Sequence, residues 1–86
     1  MKIMGTVIVV FRVMPESPDS AAAVKAALEK LKPNRLEEEP VAFGLTAYKF
    51  TKLIPDASGE IEKLEESLGK VKGVQSVENI RTSLSL

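Results

Sequence analysis

The densest run of chemically capable side chains is Glu37-Glu38-Glu39, followed at once by Pro40. Neighbouring carboxylates can hold a divalent cation, or share general-acid and general-base roles, when they converge on one point. On an extended chain they do not converge, because successive side chains alternate and Glu38 leaves on the face opposite Glu37 and Glu39. Only two carboxylates then share a face, and no Asp, His or second acidic run lies close in sequence to complete a site. The run reads instead as a strand at a sheet edge, where charge discourages pairing with other chains.

The wider inventory narrows the chemistry further. The chain has no Cys and no His, which removes thiol nucleophiles, disulfides, Ser-His triads, zinc sites of the usual kind and the commonest general base at neutral pH. Carboxylates, Lys, Arg, Ser, Thr and Tyr48 remain. No catalytic residue, metal or cofactor is expected, and the chain is not expected to be an enzyme. Twelve basic residues balance twelve acidic ones for a net charge of zero, so no broad attraction to nucleic acid or an anionic membrane is indicated. At 86 residues the expectation is a single domain spanning 1–86, with one core and no deep enclosed site. A cytoplasmic location is expected, since small secreted domains more often carry disulfides.

The acidic run leads into Pro40-Val41-Ala42-Phe43-Gly44-Leu45, which reads as a hairpin tip carrying an aromatic. Pro40 cannot donate to a sheet ladder and Gly44 can take positive φ, so the chain reverses between them. Phe43 at the turn has two readings. It folds back over the core of its own chain, or it anchors in a partner's pocket.

The flanking segments must position that tip. Lys2 followed by Ile3 to Val10 imitates a leader peptide, but Thr6 interrupts the run, Arg12 closes it and no small-residue cleavage site follows. Ile3, Val7, Val9, Phe11 and Val13 alternate with polar residues and predict a long central strand, with Ile8 and Val10 on its other face. Pro15 to Asp19 ends it and starts a helix, capped by Ser17 or Asp19, whose stripe is Val24, Ala27, Leu28 and Leu31. Lys32-Pro33-Asn34 stops that helix before the acidic strand. Leu45 to Ile54 predicts a second long strand with Tyr48, Phe50 and Ile54 on one face and Lys49 and Thr51 on the other. A helix from Glu60 to Leu68 follows, with Ile61, Leu64 and Leu68 inward and Gly69 or Gly73 as its terminator. Val74 to Leu86 is the last strand, in which Ile80, Leu84 and Leu86 are expected to share one face and Arg81, Ser83 and Ser85 the other.

Strand, helix, strand, strand, helix, strand is the βαββαβ order of a ferredoxin-like α+β fold. One apolar stripe per helix and one apolar face per strand give a two-layer sandwich, a four-stranded antiparallel sheet with two helices on one face. Phe43 and Leu86 are then expected at opposite ends. The architecture alone does not choose a function. A metal carrier of this shape needs paired thiols, which are absent. An RNA-recognition module needs exposed aromatics on its central strands, whereas Phe11, Tyr48 and Phe50 alternate into the core. A phosphate-cradling loop after the first strand is disfavoured by Met14-Pro15-Glu16-Ser17-Pro18, where prolines remove donors and an acid repels phosphate.

Three stretches carry a family likeness. Val13 to Asp19, Glu38-Glu39-Pro40-Val41-Ala42-Phe43-Gly44-Leu45, and Glu65-Glu66-Ser67-Leu68 with Gly73-Val74-Gln75-Ser76-Val77 closely resemble archaeal translation elongation factor 1-beta, and the likeness extends over nearly the whole chain. The resemblance implies a guanine-nucleotide exchange factor that binds the GTPase elongation factor 1-alpha and speeds release of GDP. It also implies a free monomer with no direct contact to nucleic acid or membrane. By the same resemblance Pro40, Phe43 and Gly44 form a tip that contacts the second domain of the GTPase. The other end, with Arg81, Leu84, Ser85 and Leu86, approaches the switch regions and the magnesium site of the GTPase. Eukaryotic members carry a lysine just before their final residue. Here the corresponding stretch is Ser83-Leu84-Ser85-Leu86, which is neutral, so displacement of a switch segment is expected to weaken magnesium binding.

Two other classes remain open on sequence alone. A regulatory module binding a small ligand between two copies predicts self-association through the back of the sheet. A structural subunit that pairs through a sheet edge predicts function insensitive to Phe43.

Overall fold

The computed structural model describes residues 5–41, 44–57 and 59–85, with residues 84 and 85 described through their backbone. The elements are β1 (Thr6–Pro15), α1 (Ala21–Lys30), β2 (Arg35–Pro40), β3 (Thr46–Pro55), α2 (Glu60–Gly69) and β4 (Val74–Ser85), with a single 3₁₀ turn at Pro18–Ser20 ahead of α1. The strands form one antiparallel sheet in the order β2-β3-β1-β4. The architecture is the ferredoxin-like α+β sandwich expected from the element order.

Alternation builds the core. Val7, Val9, Phe11 and Val13 of β1 and Tyr48, Phe50 and Ile54 of β3 bury one face of the sheet against Val24 and Leu28 of α1 and Leu68 of α2. Each fully buried side chain of this size contributes about 1.5–3 kcal/mol relative to exposure, so both central strands and both helices are held by the same cluster. Ala21, Leu31, Leu36, Ile61, Leu64 and Val77 extend it as half-buried neighbours.

The α1 entry selects between the two caps the sequence allows. Ser17, not Asp19, begins the helical region: Ser20 Oγ accepts from the Ser17 backbone N–H at 3.1 Å and donates to the Ser17 carbonyl at 3.0 Å. Pro18 occupies the first position of the turn, where a missing N–H is harmless, and the α-helix proper starts three residues later. At the other end Lys32 has φ +57, and the Lys52 ammonium donates to the carbonyls of Leu31 at 2.8 Å and Lys32 at 3.2 Å. A cation on β3 thus satisfies carbonyls left over at the helix C-terminus.

The two outer strands manage their free edges differently. β2 is short, acidic and half polar, as expected of an edge. β4 is long, and it is interrupted: Val10 pairs with Arg81 while Phe11 pairs with Asn79, leaving Ile80 as an extra residue in a bulge. This overturns the expected placement of Ile80 on the face opposite Arg81 and Ser83. Ile80 lines the open face beside Arg81 and Ser83, and the backbone of Leu84 further along is in register with Val7. The extra residue shifts the alternation by one, which no reading with a strict period of two can anticipate.

Candidate partner-binding site

The hairpin between β2 and β3 is built from its last rungs outward. Pro40 is the register partner of Thr46, and beyond them the Val41 N–H donates to the Leu45 carbonyl at 2.9 Å. Antiparallel pairs alternate between hydrogen-bonded and non-hydrogen-bonded. The Val41–Leu45 bond therefore makes Pro40–Thr46 a non-bonded pair, and the missing N–H of Pro40 falls on the open edge. Gly44 has φ +74 with open space around it, so it supplies the reversal. Phe43, the aromatic expected at this tip, lies outside the described residues, and its two readings stay as they stood.

At the far end the backbone of Leu84 and Ser85 is paired with Val7 and Thr6. Leu86 lies outside the described residues. Thr6 pairs with Ser85 at one extreme of β1 and Val13 with Tyr48 near the other, two residues short of the Thr46 rung. Nine residues of extended chain separate the two ends, about 30 Å at ~3.3 Å per residue. Arg81 does not belong to either end. It is opposite Val10, in the middle of β1, and lines a shallow groove of about 590 Å³ on the open face together with Ile8, Val10, Thr51, Leu53 and Ile80.

Charges on this face are organised by one residue that sequence reading passed over. Arg12 Nε donates to Glu39 Oε1 at 3.0 Å and its Nη1 donates to Glu78 Oε1 at 3.4 Å. On the helix face Lys25 Nζ donates to Glu38 Oε2 at 2.9 Å. The alternation of the acidic run is therefore as expected, with Glu38 facing α1 and Glu39 facing away, and among the described residues no group of three metal-ligating side chains forms. Glu38 and Glu39 serve ion pairs. A signal for the Arg12 contacts was not available locally, since the partners lie 27 and 66 residues away.

Two titratable groups on the α1 side are shifted. Hydrogen bonding and charge attraction by Glu38 hold the Lys25 ammonium above its ordinary pKa. Burial raises the Tyr48 phenol, with the Glu38 charge adding to it, and the Tyr48 hydroxyl donates to the Ala21 carbonyl at 3.1 Å. Neither group is placed for proton transfer to a substrate. Phe11, Phe50 and Tyr48 are all buried, so among the described residues the open face offers no aromatic on which a base could stack. Among the described residues no helix is long and apolar enough to cross a membrane.

A model of the EF-1 guanine nucleotide exchange domain matches residues 8–83 of this chain, from within β1 to within β4. The chain belongs to the EF-1 guanine nucleotide exchange domain family. Its relatives include an elongation factor 1-beta of Methanoregula boonei, 42% identical over 85 residues, covering 95% of this chain and 100% of the relative. An elongation factor 1-beta of Methanobrevibacter smithii is 42% identical over 81 residues, covering 87% of this chain and 91% of that protein. One from Halobacterium salinarum is 41% identical over 80 residues, with 86% and 91% covered. Within the exchange-domain family frame, the hairpin and nearly all of β4 fall inside the matched span.

Proposed function

We infer that this protein is a guanine-nucleotide exchange factor that binds the GTPase elongation factor 1-alpha and promotes GDP release and GTP loading during translation elongation. The observation that carries this reading is the exchange-domain match over residues 8–83. The geometry is in keeping with it. An exchange factor acts through binding energy and needs two contact regions rather than a catalytic side chain, and the sheet presents two ends about 30 Å apart. A ligand-binding regulatory module has no comparable support.

In this mechanism the tip, with Pro40, Phe43 and Gly44, docks on one region of the GTPase. The opposite end, with Leu84, Ser85 and Leu86, approaches the nucleotide site, and Arg81 contacts the GTPase from the open face between the two ends. Energy realised only in the nucleotide-depleted complex accelerates release, at roughly tenfold per 1.4 kcal/mol. An aromatic anchor of about 2–4 kcal/mol thus supplies about 30-fold to several hundred-fold. Magnesium is weakened by displacing a switch segment, because the stretch Ser83 to Leu86 has no cation to substitute for it and Arg81 points into the groove on the open face. The protein acts as a free monomer before it meets the GTPase.

Release of a fluorescent GDP analogue from purified elongation factor 1-alpha tests the reading. Acceleration by the intact chain that falls with Phe43→Ala is expected. No acceleration, with a GTPase shown to be active, would overturn it.

A further inference from the structure

We propose that Arg12 is a positioning residue that fixes the angle of the hairpin tip and so prepares it to dock; the proposal rests on the exchange reading above. Arg12 stands on the open face of the central strand β1, and its two partners belong to the two outer strands: Glu39 on β2 at 3.0 Å and Glu78 on β4 at 3.4 Å. One guanidinium therefore ties both edges of the sheet together. The planar fork of arginine sends donors in two fixed directions at once, which a lysine ammonium on a flexible stem does not reproduce.

Glu39 is the residue immediately before Pro40, so the ion pair grips β2 at the root of the tip. The route from Arg12 to Glu39 crosses β3 beside Ala47, the register partner of Glu39, which is fully buried. A side chain ending at Cβ leaves that route open. From the other face Lys25 holds Glu38 at 2.9 Å. The root of an edge hairpin, whose outer side has no neighbouring strand, is thus held at consecutive residues from both sides of the sheet. Docking a tip that is already oriented costs less ordering entropy than docking one that swings. Loss of the grip therefore weakens the encounter with the GTPase and leaves the rate of release at saturation alone.

The experiment titrates the exchange factor into elongation factor 1-alpha loaded with a fluorescent GDP analogue and separates half-saturating concentration from maximal rate. Both side chains of the pair are more than a third exposed, at 38% and 36%, so the effect is that of a partly screened pair. Arg12→Met and Glu39→Gln are each expected to raise the half-saturating concentration about two- to fivefold with an unchanged maximal rate. The double variant is expected to be no worse than either single, and Arg12→Lys to fall between. Lys70→Met, which removes the i,i+4 pair with Glu66 at 3.2 Å inside α2, serves as a control for loss of an ion pair elsewhere and is expected to leave the titration unchanged. Folded fraction is followed by circular dichroism, since a purely structural role would lower stability without moving the half-saturating concentration of folded protein. Unchanged half-saturation in Glu39→Gln and Arg12→Met, alongside a clear loss in Phe43→Ala, overturns the positioning role and leaves the exchange reading standing. No effect of Phe43→Ala removes the tip as an anchor, and the proposal falls with it.

Discussion

The Asn79 side-chain Oδ1 accepts the backbone N–H of Arg81 at 3.1 Å, closing a local loop at the point where β4 bulges. The same amide donates to Thr82 Oγ1 at 3.0 Å. A bulge interrupts the ladder with β1, and asparagine bonds its own backbone two residues on more readily than most side chains. Asn79→Ala is expected to cost about 1 kcal/mol, the net worth of one such bond at an exposed site. The check is urea unfolding, in which the midpoint should fall while the slope stays unchanged.

That bulge also marks where reading the sequence stopped short. Strict alternation through Val7, Val9, Phe11 and Val13, and through Tyr48 and Phe50, identified the two central strands because each has one face on the core. Three acids and a proline marked β2 as an edge. Strict alternation sets Ile80 on the face opposite Arg81 and Ser83, yet it lies on the open face with them, because a bulge is decided by pairing with a neighbouring strand and not by local pattern. At the candidate site the turn residues Pro40 and Gly44 were legible from their backbone chemistry. Arg12 was not: alone it is a polar residue on a strand, and its function depends on a topology that brings residues 39 and 78 to it.

Two glycines with positive φ separate conformational strain from crowding. Gly73 has φ +92, and a Cβ there would meet Ser20 Cβ at 3.0 Å and Val24 Cγ2 at 3.2 Å, whereas Gly44 at φ +74 has nothing within 4 Å. The Gly73 carbonyl also accepts the Glu16 N–H at 2.8 Å, tying the end of β1 to the start of β4. Gly44→Ala is expected to cost about 1–2 kcal/mol through the left-handed backbone alone. Gly73→Ala should cost more, roughly 2–4 kcal/mol, because strain of about 1–3 kcal/mol is joined by displacement of α1. Thermal unfolding of both variants checks the order, and equal shifts would show that the contacts at Gly73 relax freely.

Stability is expected to fall as pH rises above about 10. Burial holds the Tyr48 phenol above its ordinary value of 10.0, and Glu38 holds Lys25 above 10.5. In each case the folded state binds the proton more tightly than the unfolded chain does. The contribution is therefore complete below the unfolded pKa and is lost as pH climbs through the folded one. Deprotonation of Tyr48 also removes the donor to the Ala21 carbonyl. Urea midpoints measured from pH 8 to 11 should decline in the upper part of that range, and Tyr48→Phe should make the decline shallower. A midpoint that stays flat to pH 11 would contradict both shifts.

The hairpin tip and Arg81 should act independently in exchange. Arg81 is opposite Val10, five residues of β1 from the level of the Thr46 rung, about 17 Å at ~3.3 Å per residue. Effects of substitutions more than about 7–10 Å apart without shared partners add in free energy to within about 0.3–0.5 kcal/mol. Arg81 has no ion-pair partner among the described residues, so no charge contact among them links it to the root of the tip. The fold losses in GDP release for Phe43→Ala and Arg81→Ala are therefore expected to multiply, with the double variant within about twofold of the product. Glu78→Gln then serves as the contrast, because Glu78 shares Arg12 with Glu39. Combined with Glu39→Gln it should fall short of the product of the single losses. If Arg81→Ala instead departs from multiplication by more than about fivefold, the tip and the open face communicate through the sheet, and independent contact by the two is excluded.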